Sequence, residues 1–294
     1  MIKRKIPKKR RRKTSLNVHK KKLSVLLMLV LALAAALSGC APSAAPQSSE
    51  EPEQAGFDLS VYKNNDFLIT PQDLKAMLGS EDLVLVDANK PDVYGKEHIP
   101  GAISAGLHSF SNTVGKPGEP GWGTILDKDA LTEKLNAMGI NNEKTVVFYS
   151  DVFKGPGADG RAVWQLQMAG MDNVKLLVGG LSYWKELGYE VTAEVSEPVP
   201  TTGVVLKDYD ESFGATKDYV FENLGKQVLI DVRTPKEYGG SQNAGEPRGG
   251  HITGATNLLW LDLLNENGTP KSPEEITKIM ADAGVSPEDD FTLY

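Results

Sequence analysis

The residues of this 294-residue chain that could do chemistry are few: four histidines, one cysteine, and a handful of acids and arginines in repeated settings. His98 opens His98-Ile99-Pro100-Gly101-Ala102, and His251 opens His251-Ile252-Thr253-Gly254-Ala255. Each is preceded by an apolar run ending in an acid, Asp87 or Asp231, and each acid is followed seven residues later by a tyrosine, Tyr94 or Tyr238. An imidazole can serve as a base or a metal ligand, but no ligand-type side chains are spaced around either histidine. Both therefore read as turn-bonding residues, and no metal is expected. Arg233 and Arg248 suit an anion, because a planar guanidinium can pair with two oxygens. The same two residues could instead form salt bridges, and Arg233, two positions after Asp231, reads first that way. Ser150 is followed by Asp151, has no histidine base near it in sequence, and is not an activated nucleophile.

The elements that position these residues also occur twice. Asp87 and Asp231 lie 144 residues apart, His98 and His251 lie 153 apart, and Tyr149 and Tyr294 lie 145 apart. The second copy gains nine residues before its histidine and loses eight afterwards. The period is that of a domain, so the chain reads as a tandem duplication of one α/β unit rather than a solenoid. In the first copy Thr70 and Pro71 open a helix. The run 83–86 is too uniformly apolar for a one-sided strand and suits a central parallel strand. A helix follows from Asp127 to Gly139, then a strand at 146–149, a helix from about Arg161 to Ala169, a strand at 174–178, and a last helix after Gly179-Gly180. In the second copy Ser272-Pro273-Glu274-Glu275 is a capping box, with Ile276, Ile279 and Met280 as the apolar stripe behind it. Pro198 and Pro200 mark an extended connector between the copies.

The Asp…Tyr…His-Ile-x-Gly-Ala pattern, the later strand and loop, and the Gly179-Gly180…Trp184 segment resemble a tandem rhodanese from about Phe67 to Tyr294. The resemblance implies two rhodanese-like α/β domains, each a parallel sheet flanked by helices. It also implies transfer of sulfane sulfur from a donor such as thiosulfate to a thiol or cyanide, through a persulfide-type intermediate and without a cofactor. Rhodaneses carry their nucleophilic cysteine in the loop after the strand that here ends at Tyr149 and again at Tyr294. The first loop has Ser150, Asp151 and, farther on, Arg161, and is expected to be inert. Its Gly155-Pro156-Gly157-Ala158-Asp159-Gly160 matches a dinucleotide fingerprint literally, yet no acid ends the following strand, so it reads as a tight loop. In the second copy Glu237 stands where the mercaptopyruvate-specific branch has a basic residue, which leaves thiosulfate the more open donor.

The nucleophile's place in the second copy is the position following Tyr294. A selenocysteine codon read as stop would place a selenolate there, and a fragment or frameshift are the alternatives. On this reading the 294-residue chain is expected to be inactive. The second domain is expected to lack a strand and two covering helices, exposing the apolar residues of 228–230 and 276–280. The competing expectation from a different class is a rhodanese-like binding module without catalysis.

Residues 1–22 hold twelve Lys and Arg and no acid, and the next 17 residues are uncharged. A basic segment followed by a short apolar core describes an export signal, and Leu37-Ser38-Gly39-Cys40 resembles a bacterial lipobox, which implies lipidation of Cys40. The expected organisation is a signal peptide over 1–39, an anchored flexible tether over 40–64, a first domain over 65–195 and a second over 205–294. The expected location is the extracytoplasmic side of a membrane. Beyond the signal remain 20 basic and 39 acidic residues. That balance disfavours nucleic acid and leaves a small sulfur donor and a thiol acceptor as the expected partners.

Overall fold

The computed structural model describes residues 56–243 and 246–294; the signal segment, Cys40 and the tether up to residue 55 lie outside the described residues. Within the stretch expected to be tether lies a 3₁₀ turn at Leu59–Val61, capped by Asp58. The first unit then runs β1 (Leu68–Ile69), α1 (Pro71–Met77), β2 (Leu83–Asp87), α2 (Pro91–Tyr94), β3 (Ile103–Ser104), α3 (Lys128–Ala137), β4 (Thr145–Tyr149), α4 (Ala158–Met168), β5 (Val174–Leu177) and α5 (Gly180–Glu186). The second unit has α6 (Lys217–Glu222), β6 (Val228–Asp231), α7 (Pro235–Tyr238), β7 (Thr256–Asn257), α8 (Pro273–Asp282) and β8 (Phe291–Leu293).

Local chemistry sets these boundaries. The Thr70 hydroxyl accepts the Asp73 N–H at the start of α1, and the Asp127 carboxylate accepts the Ala130 N–H at the start of α3. Ser272 and Glu275 form the expected capping box on α8. α4 begins three residues before the expected Arg161, because Gly157 takes the left-handed conformation (φ 77°) that turns the loop directly into the helix.

All five strands of the first sheet are parallel, in the order β1-β5-β4-β2-β3. Val146 and Phe148 on one face of β4, and Val147 and Tyr149 on the other, are fully buried. Two apolar layers result: α3 and α4 cover the Phe148 face, while α1 and α5, with Trp184, cover the Tyr149 face. Burying a side chain of this size contributes roughly 1.5–3 kcal/mol. The connector belongs to the first layer. Val204, Leu206 and Tyr209 pack into the core of the first unit, and Lys207 and Asp210 donate their N–H groups to the carbonyls of Ala169 and Met168. A boundary at 205 therefore cuts through a strap that packs on the first unit.

The second sheet, β7-β6-β8, is also parallel and repeats the β3-β2-β4 half of the first. The exposure expected of its central strand is corrected here. Leu229 and Ile230 are buried: β6 has a strand on each side, and α8 packs against Ile230. Exposure falls instead on the edge strand β8, where Phe291 and Leu293 are 47% and 55% exposed, against 0% for Val146 and Phe148 at the matching positions of β4. α8 contains no fully buried residue; Ile279 and Met280 are half-buried against Ile230. Among the described residues no helix is long and apolar enough to cross a membrane.

Candidate active site

Parallel strands bring their carboxyl ends to one edge, where ligands of open α/β sheets bind. The two units build that edge from the same parts. In the first, the Tyr94 hydroxyl donates to the Ala102 carbonyl at 2.8 Å, and His98 stacks on the Tyr94 ring with its Nδ1 2.7 Å from the Tyr94 carbonyl. In the second, Tyr238 donates to the Ala255 carbonyl at 2.8 Å, and His251 stacks on Tyr238 with its Nδ1 2.9 Å from that carbonyl. The tyrosine at the end of the neighbouring strand then locks the turn. The Ile99 N–H donates to the Tyr149 hydroxyl at 2.9 Å, and the Ile252 N–H donates to the Tyr294 hydroxyl at 2.8 Å. The histidines thus hold a turn, and His98 has its second nitrogen 2.9 Å from the Glu194 carbonyl. Tyr149 and Tyr294 were not singled out by chemistry; their matched positions in the repeat were the available signal.

The two units part company beside the strand-end acids. Asp231 is fully buried and receives a fork from Arg233, with Nε at 2.9 Å from Oδ1 and an Nη at 2.5 Å from Oδ2. Burial alone would raise the Asp231 pKa, but the Arg233 side chain and backbone donors hold it below the usual carboxylate range. The same guanidinium donates to the Gly250 carbonyl at 2.9 Å and lies 5.7 Å from the centre of the Tyr294 ring. Arg233 therefore joins β6, the end of β8 and the loop that carries Arg248. Arg248 itself is exposed.

Asn89 replaces this arginine in the first unit. Asp87, also fully buried, accepts only the Asn89 N–H on Oδ1, and its Oδ2 has no partner. Burial pushes the Asp87 carboxyl up, and burial beside Asp87 pushes the Tyr149 phenol well up. The Asn89 side chain reaches across to β4, and its Oδ1 accepts the Asp151 N–H at 2.8 Å.

The loop after β4 is closed on itself. The Asp151 carbonyl accepts the Lys154 and Gly155 N–H groups, its carboxylate pairs with Lys154 at 2.7 Å, and the Ser150 carbonyl accepts the Leu181 N–H at 2.9 Å. That last contact needs Gly180, where a Cβ would lie 2.2 Å from the Ser150 oxygen. Ser150 is buried and its hydroxyl completes no hydrogen bond; the neighbouring Asp159 carboxyl, buried in the first turn of α4, is pushed up by that burial. Arg161 turns away, donating to the Gly123 carbonyl at 2.7 Å. The Asp151 amide and the Lys154 and Arg161 side chains are thus engaged within the first unit. Among the described residues no group of three or more His, Cys, Asp or Glu side chains could hold a metal ion.

A model of the rhodanese-like domain matches residues 70–187. The thiosulfate sulfurtransferase of Corynebacterium glutamicum is 31% identical over 244 residues, spanning 79% of this chain and 78% of that protein. The chain belongs to the rhodanese family. Another relative, the thiosulfate sulfurtransferase of Pseudomonas aeruginosa, is 32% identical over 243 residues, covering 80% of this chain and 84% of its own. The crystal structure of SseA from Escherichia coli, described as a 3-mercaptopyruvate sulfotransferase, superposes with a TM-score of 0.64 at 22% identity, over 77% of this chain and 87% of that one. That likeness concerns the fold. The rhodanese units here are a complete five-stranded first unit with a closed loop, and a second whose three described strands carry the Asp231–Arg233 clasp.

Proposed function

We propose that this protein is a sulfurtransferase whose working site lies at the carboxyl edge of the second sheet, with the nucleophile at the position following Tyr294. One observation carries the reading. The Tyr294 hydroxyl holds the Ile252 turn as Tyr149 holds the Ile99 turn, so the position after Tyr294 is the counterpart of Ser150, at the mouth of the parallel sheet. The names of the relatives supply the reaction class, sulfur transfer from thiosulfate.

A thiolate or selenolate at that position attacks the outer sulfur of thiosulfate. The sulfur–sulfur bond breaks, sulfite leaves with the bonding pair, and the outer sulfur stays on the nucleophile. Cyanide or a thiolate then takes that sulfur and returns the nucleophile as an anion. Arg248 on the loop steered by Arg233 contributes positive charge for the dianion in an otherwise acidic protein. The protein is exported and held at a membrane through lipid on Cys40.

The test is to read the coding DNA beyond the Tyr294 codon, express the encoded protein and assay thiosulfate:cyanide turnover with mass analysis after thiosulfate alone. One added sulfur on the residue that follows Tyr294, and turnover lost when that residue becomes serine, are the expected results. Turnover that survives that change and depends on Ser150 would overturn the proposal.

A further inference from the structure

In the second unit, residues 264–271 form a small hairpin. Leu264 bridges Pro270, Asn265 donates its N–H to the Thr269 carbonyl at 2.8 Å, and Lys271 donates to the Leu263 carbonyl at 2.9 Å. The first unit touches this hairpin on two sides. At its tip is Gly268, where a Cβ would stand 3.2 Å from the Gly179 carbonyl oxygen and 3.4 Å from a methyl of Val152. Val152 belongs to the closed loop after β4. On the returning arm, the Tyr62 hydroxyl lies 2.8 Å from the Lys271 carbonyl and 3.2 Å from that of Pro270. Tyr62 is itself fixed, by stacking on Phe57 and by donating its N–H to the Leu59 carbonyl at 3.1 Å. Burial, with Glu275 and Glu274 nearby, pushes its phenol up, so the hydroxyl keeps its proton for these carbonyls.

We propose that residues 57–62 and the Val152 loop act together as a clasp on the 264–271 hairpin, locking the second unit to the first. The loop after β4 is thereby assigned a docking role, and the segment 57–62 that precedes β1 is assigned a fastening role. Two independent contacts from segments 90 residues apart converge on one turn of the other unit. This assignment does not depend on the sulfurtransferase reading.

Hydrogen exchange in the full chain tests it, with Tyr62→Phe removing one hydroxyl and Val152→Ala removing the methyl contacts. Each variant is expected to speed exchange of the Asn265 and Lys271 amides about threefold to tenfold, the scale of one lost hydrogen bond or a small packing contact acting on a local opening. The Asn112 and Gly123 amides, which close the corresponding hairpin of the first unit, are expected to keep their rates. Unchanged rates at Asn265 and Lys271 in both variants would overturn the clasp. So would an equal acceleration at Asn112 and Gly123, which would mean a general loss of stability rather than a released hairpin.

Discussion

Asp87 and Asp231 end equivalent strands, are equally buried, and differ in one neighbour. Removing one partner of a buried pair strands the other charge, so Asp231→Asn should cost about 2–4 kcal/mol in urea unfolding at pH 7. Asp87→Asn removes a buried charge that has no ionic partner, and should leave stability unchanged or raise it by about 1 kcal/mol. The pH dependence should run in opposite directions at the two sites. Asp231, whose folded pKa is depressed, stabilises fully above its unfolded value near 4 and loses that contribution as pH falls through the lower folded value. Asp87, whose folded pKa is raised, destabilises when ionised, and that penalty is relieved as pH falls through its folded value toward the unfolded one. Urea titrations of the two variants against the parent from pH 7 to pH 3 check the signs. The same residue-scale logic bears on Ser150. A cysteine there would be buried beside the Asp159 carboxyl, in a loop whose Asp151 N–H is already taken by Asn89, and burial next to a carboxyl disfavours a thiolate. Ser150→Cys is therefore expected to give no thiosulfate:cyanide turnover in residues 41–294; a measurable rate would show that the loop can open.

At the scale of elements, β8 is the exposed part. Among the described residues it pairs with β6 alone. Alternating strands and helices, the caps at Thr70, Asp127 and Ser272, and the duplication itself were all legible in the sequence, because each is written in local spacing or in recurrence. What escaped is non-local. That Asn89 would close the first loop depends on a contact across 62 residues, which neither propensity nor periodicity records. The sequence points to exposure at 228–230 because recurrence does not show that α8 folds over β6, which lies between β7 and β8. The spacing from Asp231 already favours a structural pairing for Arg233, and the geometry adds its bond to the Gly250 carbonyl and the exposure of Arg248.

For the whole molecule, the lipobox resemblance predicts that Cys40→Ala releases the protein from membranes into the soluble fraction on cell fractionation and removes the mass of any lipid. Retention of the variant would refute the anchor. The strap formed by Val204, Leu206 and Tyr209 makes a second prediction at this scale. A fragment covering residues 56–195 should fold poorly or not at all, whereas 56–214, which keeps the strap, should give a cooperative thermal transition in circular dichroism. The strap also puts a clock on biosynthesis. A core that needs Tyr209 cannot be completed when β5 and α5 have been made, because its last pieces are encoded after both. Chains lengthen at roughly 5–20 residues per second, so the interval between the codons of Leu74 and Tyr209 lasts on the order of 7–27 s. Through that interval the apolar face of the first sheet stays unfinished on the nascent chain, long enough for a holding chaperone to engage it. The strap thus ties completion of the first core to residues made after the last helix of that unit.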